Sequence, residues 1–310
     1  MLIGRSRGGP VWLNNFAGGF EFLTSFQPPA HVSGATEVSN IGELESAIDS
    51  ANDGDRIEID TAGTYTLTTN KTITIDLTIA ATVAGVILVG TTGRYWMINQ
   101  AGKTLSLLGV EVTECDPNSG IVYSEAGLAY FEQCYFHPTD NASYGSAVRL
   151  GGPNGDATLE GCIVDGSGYT GGSGTYPLSA ASASNTMIVR NCTVIGPDAA
   201  AGQWCALIQS GVMTVYNSAF KEGRDGCIRY FSGTLNGDYN AGTDATMPGA
   251  NSHDNITWAN YYNGSFVPQN NTAKQGGDTT NAADYDYYGN NLNDLIAALG
   301  YVPIGAIAAE

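Results

Sequence analysis

The residues of this sequence that could do chemistry together are concentrated in one short segment, KEGRDGCIR, at positions 221–229. Within it, Glu222 and Asp225 could hold a cation beside Arg224. A cation site of this kind needs further carboxylates from neighbouring parts of the fold. The internal repeats of the chain place no second group of Asp residues at the matching offset. We therefore expect no metal site and no cofactor.

Asp165 and Glu222 form a second candidate pair, for the hydrolysis of glycosidic bonds. A glycosidase holds two carboxylates about 5–9 Å apart across the sugar. Asp165 and Glu222 follow comparable apolar segments two repeats apart, and at about 4.8 Å per repeat they could approach that spacing. A chain with 30 Asp and Glu residues also produces such pairs by coincidence. Taken together, the sequence predicts no catalytic site, with Asp165, Glu222, Arg224 and Asp225 as the candidates to test.

The cysteines and histidines do not form a pattern of metal ligands. None of the six cysteines belongs to a C-x-x-C pair, and the three histidines, His31, His137 and His253, stand far apart in loop-like segments. Zinc sites combine several such residues at close spacing. We therefore expect neither a zinc site nor a catalytic triad.

The elements that position these residues come from an internal repeat. The segment TLEGCIVDG (158–166) returns as IVRNCTVIG (188–196). Aligning all copies gives a column with steps of 24, 28, 30 and 26 residues: Val110, Cys134, Cys162, Cys192 and Ser218. The inward positions lie two residues apart, which is the period of a β-strand. Short strands repeated without helices bury their apolar side by stacking coil on coil.

We therefore predict an all-β fold, a parallel β-helix, whose interior contains this column as a ladder. Cys134, Cys162 and Cys192 are expected to face inward as free thiols, acting as small apolar fillers. Both ends of such a stack need a cover, because an unpaired strand edge promotes aggregation. Residues 40–55 predict an amphipathic capping helix at the front, with Ile41, Leu44, Ala47, Ile48 and Ala51 on one face. NDLIAALG (293–300) predicts a short helix that Gly300 stops.

Two segments of this chain resemble a known superfamily. The run SNIGELESAIDSANDGDRIEIDTAGTYTL (39–67) resembles the opening of right-handed parallel β-helices of the pectin-lyase-like superfamily. ADYDYYGN (283–290) and VPIGAIAAE (302–310) are similar to the ending of many bacterial and phage β-helix proteins. The resemblance implies a right-handed β-helix over residues 38–310 with a C-terminal cap from about 283 to 310. It does not define a function, because that superfamily includes lyases, hydrolases, tailspikes, adhesins and inert virion parts.

Residues 1–37 lie outside the repeat and are rich in aromatic residues. Five of these are candidates for an attachment role: Trp12, Phe16, Phe20, Phe22 and Phe26. Gly and Pro interrupt the segment, so it predicts an extended arm rather than a helix. The arm either packs on a neighbouring subunit or folds back on its own β-helix.

Composition and charge limit the partners. The chain has 310 residues, of which 43% are hydrophobic and 14% charged, and its net charge is −18. A body this acidic repels nucleic acids and anionic membranes. No segment has the roughly 18 consecutive apolar residues of a membrane span, and the apolar run after Arg7 is too short for a secretory signal peptide.

These features favour a structural virion protein of a bacteriophage, such as a capsid decoration, tail or tailspike-like component. It would assemble in the host cytoplasm and contact other virion proteins and its own copies, as a homotrimer or another symmetric oligomer, with host surface polysaccharide as a further partner. The alternatives are a carbohydrate-active enzyme, either a polysaccharide lyase or a glycoside hydrolase, and a bacterial surface adhesin. The last would place the protein outside the cell or at its surface.

Overall fold

The computed structural model describes residues 26–90, 96–113, 122–137, 146–169, 176–198 and 201–308. In these ranges the protein is an all-β parallel solenoid of about six turns, and 12% of its residues are helical. The pairings between its strands are parallel and join segments one repeat apart. The parallel solenoid predicted from the repeat is therefore confirmed.

Each turn passes along three faces. Face one consists of β4 (Lys71–Ile73), β13 (Leu178–Ala180), β16 (Trp204–Ile208) and β19 (Gly226–Tyr230). Face two consists of β1 (Thr36–Val38), β2 (Asp55–Ile59), β5 (Leu77–Ala81), β14 (Thr186–Arg190), β17 (Val212–Tyr216) and β20 (Thr234–Asp238). Three long strands continue from face one to face two: β7 (Trp96–Leu108), β9 (Val122–Glu132) and β11 (Val148–Glu160).

Face three is a separate sheet of eight strands. It contains β3 (Gly63–Thr66), β6 (Val86–Val89), β8 (Glu111–Thr113), β10 (Tyr135–Phe136), β12 (Ile163–Asp165), β15 (Thr193–Ile195), β18 (Ala219–Lys221) and β21 (Ala241–Gly242). The helices are α1 (Ile41–Ser50), a 3-10 turn (Gly166–Gly168), α2 (Trp258–Tyr261), α3 (Asn271–Gln275) and α4 (Leu292–Leu299). No helix in the described ranges has the length and apolar character needed to cross a membrane.

Inward side chains of the same kind stack along the solenoid. On face two the register aligns seven buried residues: Ile57, Ile79, Leu107, Phe131, Leu159, Val189 and Val215. Burial of one such side chain contributes roughly 1.5–3 kcal/mol. The repeat in the sequence is thus the repeat of this core.

Different structural elements cover the two ends of the stack: a helix at the front and an irregular segment at the other end. At the front, Asn40 caps α1 by accepting a hydrogen bond from the Glu43 amide at 3.0 Å, and α1 buries Leu44 and Ile48 in the core. At the other end, the side chain of Asp244 accepts a hydrogen bond from the Cys227 amide at 2.7 Å. This bond and the packing of Met247 on the core satisfy the last coil without adding another strand.

Most of the C-terminal segment lies along the side of the solenoid, and within the described residues only Ile304 packs with Ala241 of the last coil, which differs from the predicted C-terminal cap. Residues 278–308, called the C-terminal strap below, run along the corner between faces two and three. The strap contacts three successive coils, at Asn217, Asn191 and Gly161. The predicted helix is present as α4 and ends at Gly300 with φ 76°. Its buried residues pack within the strap itself rather than on the coils.

The boundary of the predicted arm also differs in the structure. Residues 26–38 belong to the solenoid, because Thr36–Val38 is the first strand of the larger sheet. Glu58 is fully buried beneath this segment. It accepts hydrogen bonds from the Val32 amide at 2.9 Å and from Arg56 Nε at 2.6 Å, and it lies 2.5 Å from His31 Nδ1. The arm that could reach a partner is therefore confined to residues 1–25, which lie outside the described residues.

Candidate functional site

The loop after β18 borders the pocket nearest to the predicted chemistry. The pocket has a volume of about 400 Å³. Its lining residues are Asp198, Lys221, Glu222, Gly223, Arg224, Thr243, Ile256, Thr257 and Trp258. Two of the four predicted candidates, Glu222 and Arg224, thus share one cavity with an aromatic ring and with a further acid.

Glu222 is the acid in this pocket with a perturbed proton affinity. Burial, followed by the negative charges of Asp244 and Asp198, raises the pKa of its carboxyl group. An acid of this kind suits proton donation better than metal binding. Asp244 is already engaged: it accepts hydrogen bonds from the Cys227 amide at 2.7 Å and from Thr246 Oγ1 at 2.6 Å. Asp198 is left as the second acid that could act with Glu222.

Asp225 has a structural role in this loop. Its carboxylate accepts hydrogen bonds from the Gly202 amide and from the Gln203 amide, the latter at 3.1 Å, and its own amide donates to Gln203 O at 3.0 Å. The amide of the neighbouring Arg224 donates to Pro197 O at 3.0 Å. Asp225 therefore joins two adjacent loops rather than binding a ligand together with Glu222.

Asp165 is separated from Glu222 by an intervening coil. The register pairs Asp165 with Ile195 and Ile195 with Lys221, so two strand spacings, roughly 9.6 Å, separate Asp165 from the residue before Glu222. The Asp165 carboxylate caps the 3-10 turn by accepting a hydrogen bond from the Ser167 amide at 3.0 Å. The structure does not bring this pair together across a shared cavity.

Metal binding finds no support in the described ranges. Among these residues, no three His, Cys, Asp or Glu side chains are close enough to share an ion. Of the histidines, His31 lies against Glu58, and His137 Nε2 lies against the Glu111 carboxylate.

The interior column is a hydrogen-bonded ladder. Its five predicted members are all buried: Val110, Cys134, Cys162, Cys192 and Ser218. Cys134, Cys162 and Cys192 are free thiols, and each sulfur lies within hydrogen-bond distance of two backbone carbonyls: one on the preceding coil, at 3.2, 3.6 and 3.5 Å, and one two residues earlier in its own coil, at 3.4, 3.3 and 3.2 Å. Cys115, the sixth cysteine, lies outside the described residues.

The ladder also accepts hydrogen bonds. Ser218 Oγ accepts the Cys192 amide at 3.1 Å, and Asn240 Oδ1 accepts the Ser218 amide at 3.0 Å. In the same way the sulfur of Cys162 accepts the amide of Cys134. The predicted role as an apolar filler is therefore incomplete. Cys162 and Ser218 thus supply the acceptor that an amide at the bend of the preceding coil needs, whereas Val110 contributes only apolar volume.

Residues with left-handed backbone stand immediately before the ladder positions. They are Gly109, Gln133, Gly161, Asn191, Asn217 and Tyr239, with φ of 67°, 55°, 57°, 47°, 53° and 57°. Sequence reasoning missed this column, although the Gly and Asn residues next to the cysteines are its signal. The conformation turns the chain from face two to face three. Four of these residues, Gln133, Gly161, Asn191 and Asn217, lie against the strap, and Gly109 lies against Phe26 and Pro29.

Two Asn residues of the left-handed column form hydrogen bonds with the strap and with Pro303 near its end. Asn191 Oδ1 accepts the Ala283 amide at 2.9 Å, and its Nδ2 donates to Pro303 O at 3.0 Å. Asn217 exchanges a similar pair of bonds with the backbone of Asp278, at 2.5 and 2.8 Å. Asn side chains on two successive coils thus bind an extended segment more than 60 residues away in the sequence.

Asp286 holds the strap together from inside. Its carboxylate is fully buried and accepts hydrogen bonds from the amide and Nδ2 of Asn290 and from the Ala308 amide, each at 2.7 Å. Burial outweighs these bonds and raises its pKa to about 7. Asp286, Gly289 and Asn290 come from the sequence ending noted above, which therefore has a folding role here.

The start of the described chain is fixed by the same strap. The Gln27 amide donates to Tyr288 O at 3.1 Å, and the ring of Phe26 lies 5.5 Å from that of Tyr287. Phe26 is the one predicted attachment residue within the described ranges, and it packs on its own chain. Trp12, Phe16, Phe20 and Phe22 lie outside those ranges.

Comparison with known proteins does not extend this description. No protein-family model matches the chain. No curated protein matches it with significant similarity.

Proposed function

We propose that this protein is a structural component of a bacteriophage particle, which displays a rigid β-solenoid and docks through residues 1–25. We also propose that the solenoid is a right-handed β-helix of the pectin-lyase-like kind. The observation that supports docking best is the fixed position of Phe26 and Gln27. A segment that precedes them starts from a rigid root on the side of the solenoid, which lowers the entropy cost of attachment.

Two further observations agree with a structural role. Asp165 and Asp225 use carboxylate oxygens to cap neighbouring backbone amides. The front helix covers the edge of the first coil with Leu44 and Ile48, and the strap makes buried polar contacts along the side of the solenoid. Both features stabilise the fold, and neither prepares these carboxylates for catalysis. The protein would act together with other virion proteins and with its own copies.

Two truncations test this proposal. A chain that starts at Phe26 should unfold with the wild-type midpoint, because the strap contacts and β1 remain, but it should no longer co-sediment with assembled particles. A chain that starts at Ser39 should be much less stable, because it loses β1 and uncovers Glu58. Equal incorporation of the Phe26 truncation into particles would contradict docking through residues 1–25, as would the absence of the full chain from them.

A carbohydrate-active enzyme is the second candidate, and the raised pKa of Glu222 in a pocket with Asp198 and Trp258 is the observation that favours it. Incubation with host-derived and plant acidic polysaccharides, with and without calcium, would reveal reducing ends or unsaturated products. Turnover that Glu222→Gln abolishes and Asp225→Asn leaves intact would establish the enzyme and replace the structural proposal. We expect no turnover.

A further inference from the structure

One charged side chain on face one is held between aromatic rings and faces solvent. Arg229, on β19, places its guanidinium carbon 4.4 Å from the ring centre of Phe231 and 5.9 Å from that of Trp204. Its Nη1 lies 3.4 Å from Tyr176 Oη. Stacking on rings fixes the plane of a guanidinium group and leaves its edge available for hydrogen bonds.

A glycine on the neighbouring strand leaves space for the Trp204 ring. Trp204 pairs with Gly226 on the next coil. A methyl group at Gly226 would approach the Trp204 ring to 2.6 Å, and φ at this glycine is 141°. A residue with a side chain would therefore displace the indole from the surface on which Arg229 rests. Trp204, Arg229 and Phe231 are called the aromatic–arginine platform below.

The charge around the platform is unusual for this chain. In the last four described coils the strands of face one cover residues 148–150, 178–180, 206–208 and 228–230. These residues include Arg149 and Arg229 on one outward row but no Asp or Glu, although the chain contains 30 acids. The Asp244 carboxylate lies beside Gly226 and the Trp204 ring, where it accepts a hydrogen bond from the Cys227 amide. Because the rest of the surface repels anions, an anionic ligand would be favoured on this face.

The size of the exposed apolar surface limits the kind of ligand. Phe231 is 61% exposed, and the other large hydrophobic side chains exposed in the described ranges are Tyr230 and Val32. Val32 lies in the segment that covers Glu58, far along the solenoid. A stable protein interface buries about 800 Å² on each partner, far more than the neighbouring rings of Tyr230 and Phe231 offer. One ring matches the apolar C–H face of a single sugar.

The guanidinium group of Arg229 can bind the anionic group of such a ligand. It carries five N–H donors, and within the described residues the bond to Tyr176 uses one of them. A carboxylate or sulfate group can accept two of the others in a bidentate pair, which is roughly twice as strong as a neutral hydrogen bond. A sugar that carries such a group can stack on Phe231 while its anion meets the guanidinium edge.

We propose that the aromatic–arginine platform is a binding site for an anionic glycan. The sugar ring stacks on Phe231, and its carboxylate or sulfate group pairs with Arg229, which Trp204 and Phe231 hold in place. This inference does not depend on a role in a virus particle. Either a displayed structural protein or an enzyme could use the site to bind a polysaccharide.

Calorimetry with the full-length chain tests the proposal. Hyaluronan oligosaccharides supply carboxylates, dextran sulfate supplies sulfates, and dextran is the neutral probe. We expect one or both anionic probes to bind, dextran to bind at least about tenfold more weakly, and the affinity to fall as salt rises. Arg229→Gln and Phe231→Ala should each weaken binding by about tenfold or more.

Tyr230→Ala is the matched control. Tyr230 is 58% exposed and adjacent to Arg229, but its register with Ile208 places it on the opposite side of the strand. This variant should bind like the wild type, and all three variants should melt like it. The proposal fails if neither anionic probe binds, if dextran binds equally well, or if Arg229→Gln and Phe231→Ala bind normally. It also fails if these two variants dissociate an oligomer in the absence of glycan, because the platform would then join copies of the chain.

Discussion

The bend between faces two and three has an inner side, which faces the core, and an outer side, which faces away from it. The two sides differ in which residues they accept. On the inner side, Cys134, Cys162, Cys192 and Ser218 require a small side chain that can accept a hydrogen bond, and three of the four use the same residue type. On the outer side, the preceding residues share a left-handed backbone but differ in side chain. The inner side repeats because each coil meets an identical coil. The outer side varies because successive coils meet different segments: Gly109 meets Phe26 and Pro29, while Gly161 and Asn191 meet different parts of the strap.

This difference explains what each side contributes to stability. The ladder is replicated, so the loss of one member leaves the neighbouring coils intact. The strap is a single segment whose internal bonds converge on one buried anchor, the carboxylate of Asp286, so that no second copy replaces it when it is lost. Substitutions on the strap side should therefore cost more than substitutions in the ladder.

Asp286→Ala should have the largest effect. It leaves three donors from Asn290 and Ala308 without their acceptor. Each buried donor without a partner costs roughly 1–3 kcal/mol, so we expect the free energy of unfolding to fall by about 3 kcal/mol or more. Asp284→Ala is the control, because Asp284 is exposed and its carboxylate bonds the side chain of Asn293. Equal effects in urea denaturation would show that the anchor is not specific.

Gly161→Ala should come next. Its methyl group would lie 2.4 Å from Tyr285 O, and φ at this glycine is 57°. Gly102→Ala is the matched control, because Gly102 has φ of 76° but no atom within 4 Å of a methyl group. Both variants carry the left-handed penalty of about 1–2 kcal/mol. Overpacking against the strap should cost Gly161→Ala roughly 1–3 kcal/mol more. Equal melting of the two variants would place the strap elsewhere in solution.

The sequence predicted the inner side of the bend better than the outer side. The spacing of Cys134, Cys162 and Cys192 encodes the coil directly, because stacked residues share one environment. The strap has no such period, and its contacts with Asn191 and Asn217 join residues that are remote in the sequence. The position of α4 could not be predicted for the same reason. Its sequence has the pattern of a capping helix, but its apolar face is buried within the strap.

The candidate site shows the same limit. The segment 221–229 borders a pocket, which the sequence did not predict, and the sequence could not show that Asp225 is bonded to the Gln203 loop. It also gave no sign that Asp198 and Trp258 line the pocket with Glu222. These residues come from loops of different length, where no periodicity relates sequence to position.

The pH dependence of stability should show the anchor directly. The pKa of Asp286 is raised to about 7, so the folded state holds a proton that the unfolded chain has already released above about pH 4. Stability from this group is therefore present at low pH and is lost as pH rises from about 4 to 7. The slope for one group is at most about 1.4 kcal/mol per pH unit. Relative to Asp286→Asn, the wild type should lose stability across this range. A constant difference would mean that the carboxylate stays ionised.

The smallest effect should come from the ladder, where two substitutions of similar size test what the position requires. At Cys162 a serine can accept the Cys134 amide and donate to a carbonyl, as Ser218 does when it accepts the Cys192 amide and donates to Tyr216 O at 2.8 Å. Cys162→Ser should therefore cost about 1 kcal/mol or less. Cys162→Val keeps the apolar volume but leaves the Cys134 amide without its acceptor, which costs roughly 1–3 kcal/mol. Denaturation of both variants compares them directly. If valine is tolerated better than serine, the interior of the bend needs only a filler, and the distinction between its two sides becomes one of packing alone.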